Sequence, residues 1–188
     1  MLAISCANAL ENMGKVAANA PVRNYTQLIE MSQFTIITEL FSEDCLNAYS
    51  AWNLGKSIKP EWDKHFSPER GGEQGNYRKG MQDKIANVID CLDKFPASKR
   101  AVITIPNNPS PIHSDDADAK CLREVHLHLE KNKLNATAIF RAQAVSIFPK
   151  NIHFIGSMMT AVASQLKCQP ELGQLFYMAT ILTADRQA

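Results

Sequence analysis

The stretch that most constrains the fold runs from Cys121 to Leu166. In "CLREVHLHLEKNKLNATAIFRAQAVSI", two alternating runs flank the turn-like Glu130-Lys131-Asn132-Lys133. Leu122, Glu124, His126 and His128 alternate with Arg123, Val125, Leu127 and Leu129, a period of two that predicts a strand. A second strand after the turn makes a β-hairpin. "NIHFIGSMMTAVASQL" then predicts an apolar helix through Leu166, with Ile155, Met158, Met159 and Val162 as core. A hairpin followed this closely by an apolar helix calls for a sheet layer covered by helix.

The rest of the chain fits that layer. Residues 3–18 predict a helix, and Tyr25 to Phe41, rich in Thr, Ile and Phe, predicts a long strand or bent strand pair. Residues 43–56 predict a short helix ending near Gly55. In "MQDKIANVIDCLDKF", Ile85, Val88, Ile89 and Leu92 fall at i, i+3, i+4 and i+7, an amphipathic helix. "RAVITIP" reads as a buried strand and "ELGQLFYMATILTADRQA" as a final one. "SIKPEWDKHFSPERGGEQGNYRKG" and "NNPSPIHSDDADAK" read as loops. The expectation is one α+β domain over residues 1–188, mainly antiparallel sheet with a long central helix and further helices packed against it.

A net charge of +1 gives no global field for nucleic acid or an anionic membrane, so an anionic ligand has to be held by a few local cations. No run approaches the ~18 apolar residues of a membrane span. The start of the chain lacks a basic segment ahead of its apolar one, so no signal peptide is expected. Five scattered cysteines, Cys6, Cys45, Cys91, Cys121 and Cys168, form no C-x-x-C pair. An odd set of this kind fits reduced thiols in a cytoplasmic protein, and neither a disulfide framework nor a zinc site is expected.

Taken as a unit, Cys121 to Ile152 resembles the catalytic half of thymidylate synthase and its relatives, the pyrimidine nucleotide C5-hydroxymethylases. There a cysteine opens a strand, a hairpin leads to a second strand ending in Arg, and Pro-x-Asn-Ile opens the long helix; here these are Cys121, Arg141 and Pro149-Lys150-Asn151-Ile152. "PELGQL", Pro170 to Leu175, sits where the family has Gly-Asp before the next strand, and "DKIANVIDCLDKFPASKRAVITIPN" resembles the family's helix, Pro-x-Ser-Arg-Arg and buried strand. Tyr77 falls near the family's active-site tyrosine. The match covers roughly residues 70–182, with Arg23 a counterpart of an early phosphate-binding arginine.

The resemblance implies a one-carbon transferase acting at carbon 5 of a pyrimidine nucleoside monophosphate. Carbon 5 of uracil is a poor nucleophile until a thiolate adds to carbon 6, so Cys121 would do covalent catalysis. Arg141 would favour the thiolate and grip the phosphate. Asn151 would present a donor and an acceptor to the ring's N3–H and O4 edge; in this family an Asn there favours uracil and an Asp cytosine. Tyr77 would assist proton transfer. Lys99 and Arg100 would cross to a partner's phosphate, which implies a homodimer. The carbon donor would be 5,10-methylenetetrahydrofolate, with no metal and no nucleic acid or membrane partner.

The departures define a second reading. Lys120-Cys121-Leu122 replaces Pro-Cys-His, and Ala142-Gln143-Ala144 replaces Ser-x-Asp after the arginine. One residue is missing before Pro149, and "MATILTADRQA" stands where the family continues into His-x-Tyr, the pattern of a C-terminally short member. These losses suit a catalytically inactive protein kept for nucleotide binding or dimeric assembly. The plain reading of each residue stands beside the sharp one. Cys121 is then a buried thiol, Arg141 a surface cation at a strand end, and Asn151 a helix N-cap. Lys99 and Arg100 become solvated charges after a helix, and His126 and His128 a polar strand face without metal. A cysteine hydrolase lacks a convincing histidine partner.

Overall fold

The computed structural model describes residues 2–66, 77–106 and 120–185. The chain runs β1 (Ile4–Ser5), α1 (Cys6–Ala17), β2 (Val22–Glu30), α2 (Glu43–Asn53), a 3-10 segment (Pro60–Phe66), α3 (Met81–Lys94), β3 (Val102–Thr104), β4 (Leu122–Glu130), β5 (Lys133–Phe140), β6 (Gln143–Ala144), a 3-10 turn (Val145–Ile147), α4 (Phe148–Ala163) and β7 (Glu171–Thr183). The strands form one mixed sheet in the order β1-β2-β7-β5-β4-β3, with β6 paired to the end of β7. Its long ladders β2–β7 and β4–β5 are antiparallel, while β5–β7 is parallel.

The hairpin forms as its alternation requires. Lys131 and Asn132 take positive φ of 49° and 59°, the left-handed pair of a two-residue primed turn whose twist matches the strands. Glu130 pairs with Lys133, and the ladder runs to Leu122 opposite Phe140. A register shift between Leu122 and Glu124 marks a bulge at the cysteine end of β4.

One face of the sheet is buried. Leu134, Ala136, Ala138 and Phe140 of β5, Leu175, Tyr177 and Ala179 of β7, and Val125 and Leu127 of β4 share the core with α4. That helix is buried on nearly every side from Phe148 to Met159, so it lies inside the molecule as its composition requires. At Gly156 the helix meets Phe34 so closely that an added Cβ would lie 2.2 Å from the ring. α1 adds Cys6, Ala9, Met13 and Ala17, and α3 adds Met81, Ile85, Val88 and Leu92.

Three expectations shift. The strand predicted from Tyr25 to Phe41 ends at Glu30, and residues 32–41 continue without strand pairing. α4 starts at Phe148 with Pro149 in its first turn. Asn151 therefore lies inside the helix, and the N-cap position belongs to Ile147. Tyr77, expected in a flexible loop, does lie outside helix and strand but is 3% exposed and packs in the core. The "NNPSPIHSDDADAK" loop with His113 lies outside the described residues apart from Lys120, and Pro68 and Gly71-Gly72 lie outside them too.

Candidate active site

Cys121 sits immediately before β4, half-buried against the core. Its carbonyl accepts a hydrogen bond from the Arg141 backbone N–H at 2.8 Å, so the hairpin ladder itself places cysteine and arginine side by side. The Arg141 side chain is exposed. A thiol in this position is neither sealed in hydrocarbon nor fully in water.

Beyond Arg141 the chain turns into β6, where Gln143 pairs with Leu182 of β7. This ladder carries Gln143 into the interior, where it is 2% exposed. Its Oε1 accepts from the Tyr177 hydroxyl at 2.6 Å and from Asn151 Nδ2 at 2.9 Å, while its Nε2 donates to the Ala144 carbonyl at 2.5 Å. A residue from β6, one from β7 and one from α4 are thus joined through a single oxygen. Tyr177 is fully buried, with Phe140 stacked at 5.0 Å and Phe148 edge-on at 5.5 Å. Burial, and then the neighbouring Tyr77, Cys121 and Tyr25, hold its hydroxyl well above the usual tyrosine range.

Tyr77 is held from α2. Asn53 at the end of that helix donates to the Tyr49 carbonyl at 2.9 Å and accepts from the Tyr77 backbone N–H at 2.6 Å. Next to it, the Arg78 guanidinium caps α2 by donating to the Trp52, Lys56 and Gly55 carbonyls, and covers the Trp52 ring at 4.3 Å. The Tyr77 ring packs on Phe154 of α4 at 5.4 Å. Tyr25 opposes Ala179 across the β2–β7 ladder, and its buried hydroxyl has no hydrogen-bond partner among the described residues. Burial raises its pKa. A buried donor in this state is a natural place for a ligand.

The cations fall elsewhere. Leu127 N donates to the Ala101 carbonyl, and β3 runs antiparallel to β4, so Arg100 lies opposite the far end of that strand. Six residues of β4 separate this point from Cys121, roughly 20 Å at strand rise. Lys99 and Arg100 are exposed, and Arg100 lines an open groove of about 750 Å³ with Asp90, Lys94 and Phe95 at the end of α3. Arg23 is exposed on β2, in register with Ile181. The structure therefore joins Asn151 to Gln143 and Tyr177, ties Cys121 to Arg141 through the hairpin backbone, packs Tyr77 on Phe154 of the helix that carries Asn151, and leaves Lys99 and Arg100 remote from Cys121 within the same subunit.

Gln143, Tyr177 and Tyr25 carry no signal at motif level, although Gln143 is a lone amide in an Ala-Gln-Ala run. Lys150 is 3% exposed, its ammonium 4.5 Å from the Tyr49 ring centroid and 5.8 Å from that of Phe41. His153, also buried, meets Ser50 Oγ through Nδ1 at 2.7 Å and the Phe34 ring edge-on. His126 pairs with Glu124 at 2.8 Å on the outer sheet face, and among the described residues no group of three metal-ligating side chains assembles. No helix among the described residues is long and apolar enough to cross a membrane.

No family model matches the sequence, and no curated protein sequence matches it. Among solved structures, the chain is similar to the crystal structure of thymidylate synthase from T4 phage, with a TM-score of 0.67 and 17% sequence identity over 93% of this chain and 74% of that one. The class is therefore a mixed α+β protein with a thymidylate synthase-like fold.

Proposed function

We propose that the protein binds a pyrimidine nucleoside monophosphate, a uridylate, and transfers a one-carbon unit to its carbon 5 through covalent addition of Cys121 to carbon 6. The observation that supports this best is the buried network joining Asn151 to Gln143 and Tyr177, reached two residues after an exposed Arg141 whose backbone bonds to the half-buried Cys121. The sulfur–carbon 6 bond forms as the ring's double-bond electrons move through carbon 5 onto O4, giving an enolate that Asn151 can stabilise by hydrogen bonding. Carbon 5 then takes an electrophile or a proton. Loss of a proton from carbon 5 and expulsion of the thiolate restore the ring, with Tyr77 as the proposed proton carrier.

The phosphate asks for more cations than Arg141 supplies. Arg100 lies too far from Cys121 in its own subunit, so its proposed role, and that of Lys99, requires a second copy of the chain. The sheet face turned away from α4 suits such a homodimer. In-register rows cross it, Leu28–Phe176–Thr137–His126–Val102 and Thr26–Met178–Ile139–Glu124, all half-buried in the lone chain. Leu28, Phe176, Val102, Met178 and Ile139 make much of this face apolar, which suits a two-fold interface.

A methylenetetrahydrofolate is the carbon donor that the resemblance implies. Gln143 and Asn151, the side chains bonded around Tyr177, are neutral amides, and among the described residues no carboxylate is hydrogen-bonded to them to pair with a pterin's amino–lactam edge. These residues alone do not fit a folate, and the steps assigned to them are formation and reversal of the covalent adduct. The second reading, a nucleotide-binding or assembly protein without catalysis, draws on Ala142 and Ala144, which place no hydroxyl or carboxylate after Arg141.

Thiol protection tests the site. Iodoacetamide followed by peptide mass spectrometry should label Cys121, and saturating uridine 5′-monophosphate should protect it. Cys6, whose thiol burial pushes up to about 12, is the unreactive reference. Labelling of Cys121 at the same rate with and without any pyrimidine nucleotide would sink the proposal.

A further inference from the structure

A buried amide that accepts twice through one oxygen and is anchored by a backbone carbonyl has only one way round. We propose that Gln143 is a positioning residue that fixes the orientation of the Asn151 amide and thereby makes the site selective for a ring edge offering an N–H beside a carbonyl. This deepens the nucleotide reading above and rests on it for the identity of the ligand.

The orientation follows from hydrogen-bond accounting. The two ends of a side-chain amide have nearly the same shape, so only the partners decide which end is oxygen. The Ala144 carbonyl can only accept, and it lies 2.5 Å from Gln143 Nε2, so that end of Gln143 must be the nitrogen. Gln143 Oε1 then faces inward, where Tyr177 and Asn151 meet it at 2.6 and 2.9 Å. Asn151 must present Nδ2 there. Turned over, its Oδ1 would face another carbonyl oxygen in a buried site, two acceptors with no proton between them. Tyr177 does not set the sense, because a hydroxyl can donate or accept.

One Nδ2 hydrogen of Asn151 is thus spent on Gln143. Its Oδ1 makes no hydrogen bond among the described residues, and the second N–H stands beside it. This acceptor–donor pair complements a lactam edge such as N3–H and O4 of uracil. Cytosine offers the reverse, a ring-nitrogen acceptor beside an amine. An unrestrained asparagine could turn over to suit either ring, and Gln143 removes that freedom.

Two measurements test the inference. Calorimetric titration should show wild type preferring uridine 5′-monophosphate over cytidine 5′-monophosphate by about tenfold or more, the scale of one mismatched buried hydrogen bond. Gln143→Met should narrow the ratio to about threefold or less, while Tyr177→Phe, which leaves the Ala144 anchor intact, should keep it. A ratio unchanged in Gln143→Met overturns the inference. The second readout needs no nucleotide. In ¹⁵N-resolved NMR, solvent exchange of an Asn151 side-chain amide proton should quicken about tenfold in Gln143→Met, and unchanged exchange overturns the inference. If wild type binds no pyrimidine nucleotide but the Asn151 amide responds, the nucleotide reading fails and the orienting role of Gln143 stands.

Discussion

His153 gives the molecule a built-in acid sensitivity whose size follows from its surroundings. The imidazole is 4% exposed in the middle of α4, with Ser50 Oγ at 2.7 Å and the Phe34 ring edge-on. Burial disfavours the charged ring and lowers its pKa from 6.5 to about 4. The folded pKa lies below the unfolded one, so between those values the unfolded chain binds more protons. The neutral ring's contribution is therefore complete above pH 6.5 and is lost as pH falls towards 4. At about 1.4 kcal/mol per pH unit, the loss between pH 7.5 and 4.5 comes to about 2–3 kcal/mol. Urea denaturation at those two pH values, compared between wild type and His153→Asn, isolates the effect, because the carboxylates common to both proteins cancel. Wild type should lose about 2–3 kcal/mol more than the variant. Parallel losses would refute the claim that burial keeps this ring neutral.

Two further substitutions probe packing and the candidate site. Gly156→Ala should destabilise by about 1–2 kcal/mol in thermal or urea unfolding, because overpacking against Phe34 outweighs the gain in helix propensity; the same change made in a Phe34→Ala background should cost little. Tyr25→Phe should stabilise the unliganded protein by about 1 kcal/mol, since the buried hydroxyl has no partner among the described residues, and should weaken uridylate binding several-fold. Loss of stability together with unchanged binding would place that hydroxyl outside the site.

How much of this was legible in the sequence depends on the range of the interaction. The hairpin and α4 are local patterns, period two and a long apolar run, and both formed where those patterns stand. Asn151 shows the limit. An asparagine ahead of an apolar run reads as an N-cap, but Phe148 and Pro149 open the helix earlier and bury the amide instead. Residues 32–41 carry β-branched and aromatic side chains yet pair with no strand, because tertiary packing overrides propensity. Gln143, Tyr177 and Tyr25 were invisible as a set. Their grouping depends on β6 and β2 both pairing with β7, contacts between positions far apart in the chain that no periodicity records. The separation of Arg100 from Cys121 likewise follows from strand direction, and spacing alone carries no such information.

The most direct test of the central claim follows the hydrogen on carbon 5. Uridine 5′-monophosphate or its deoxy form, tritiated at that carbon, is incubated with the protein, with and without methylenetetrahydrofolate, and tritium released to water is counted. Reversible addition of the Cys121 sulfur to carbon 6 predicts release by wild type that disappears in Cys121→Ser. No release by wild type under either condition, or equal release by Cys121→Ser, would contradict it.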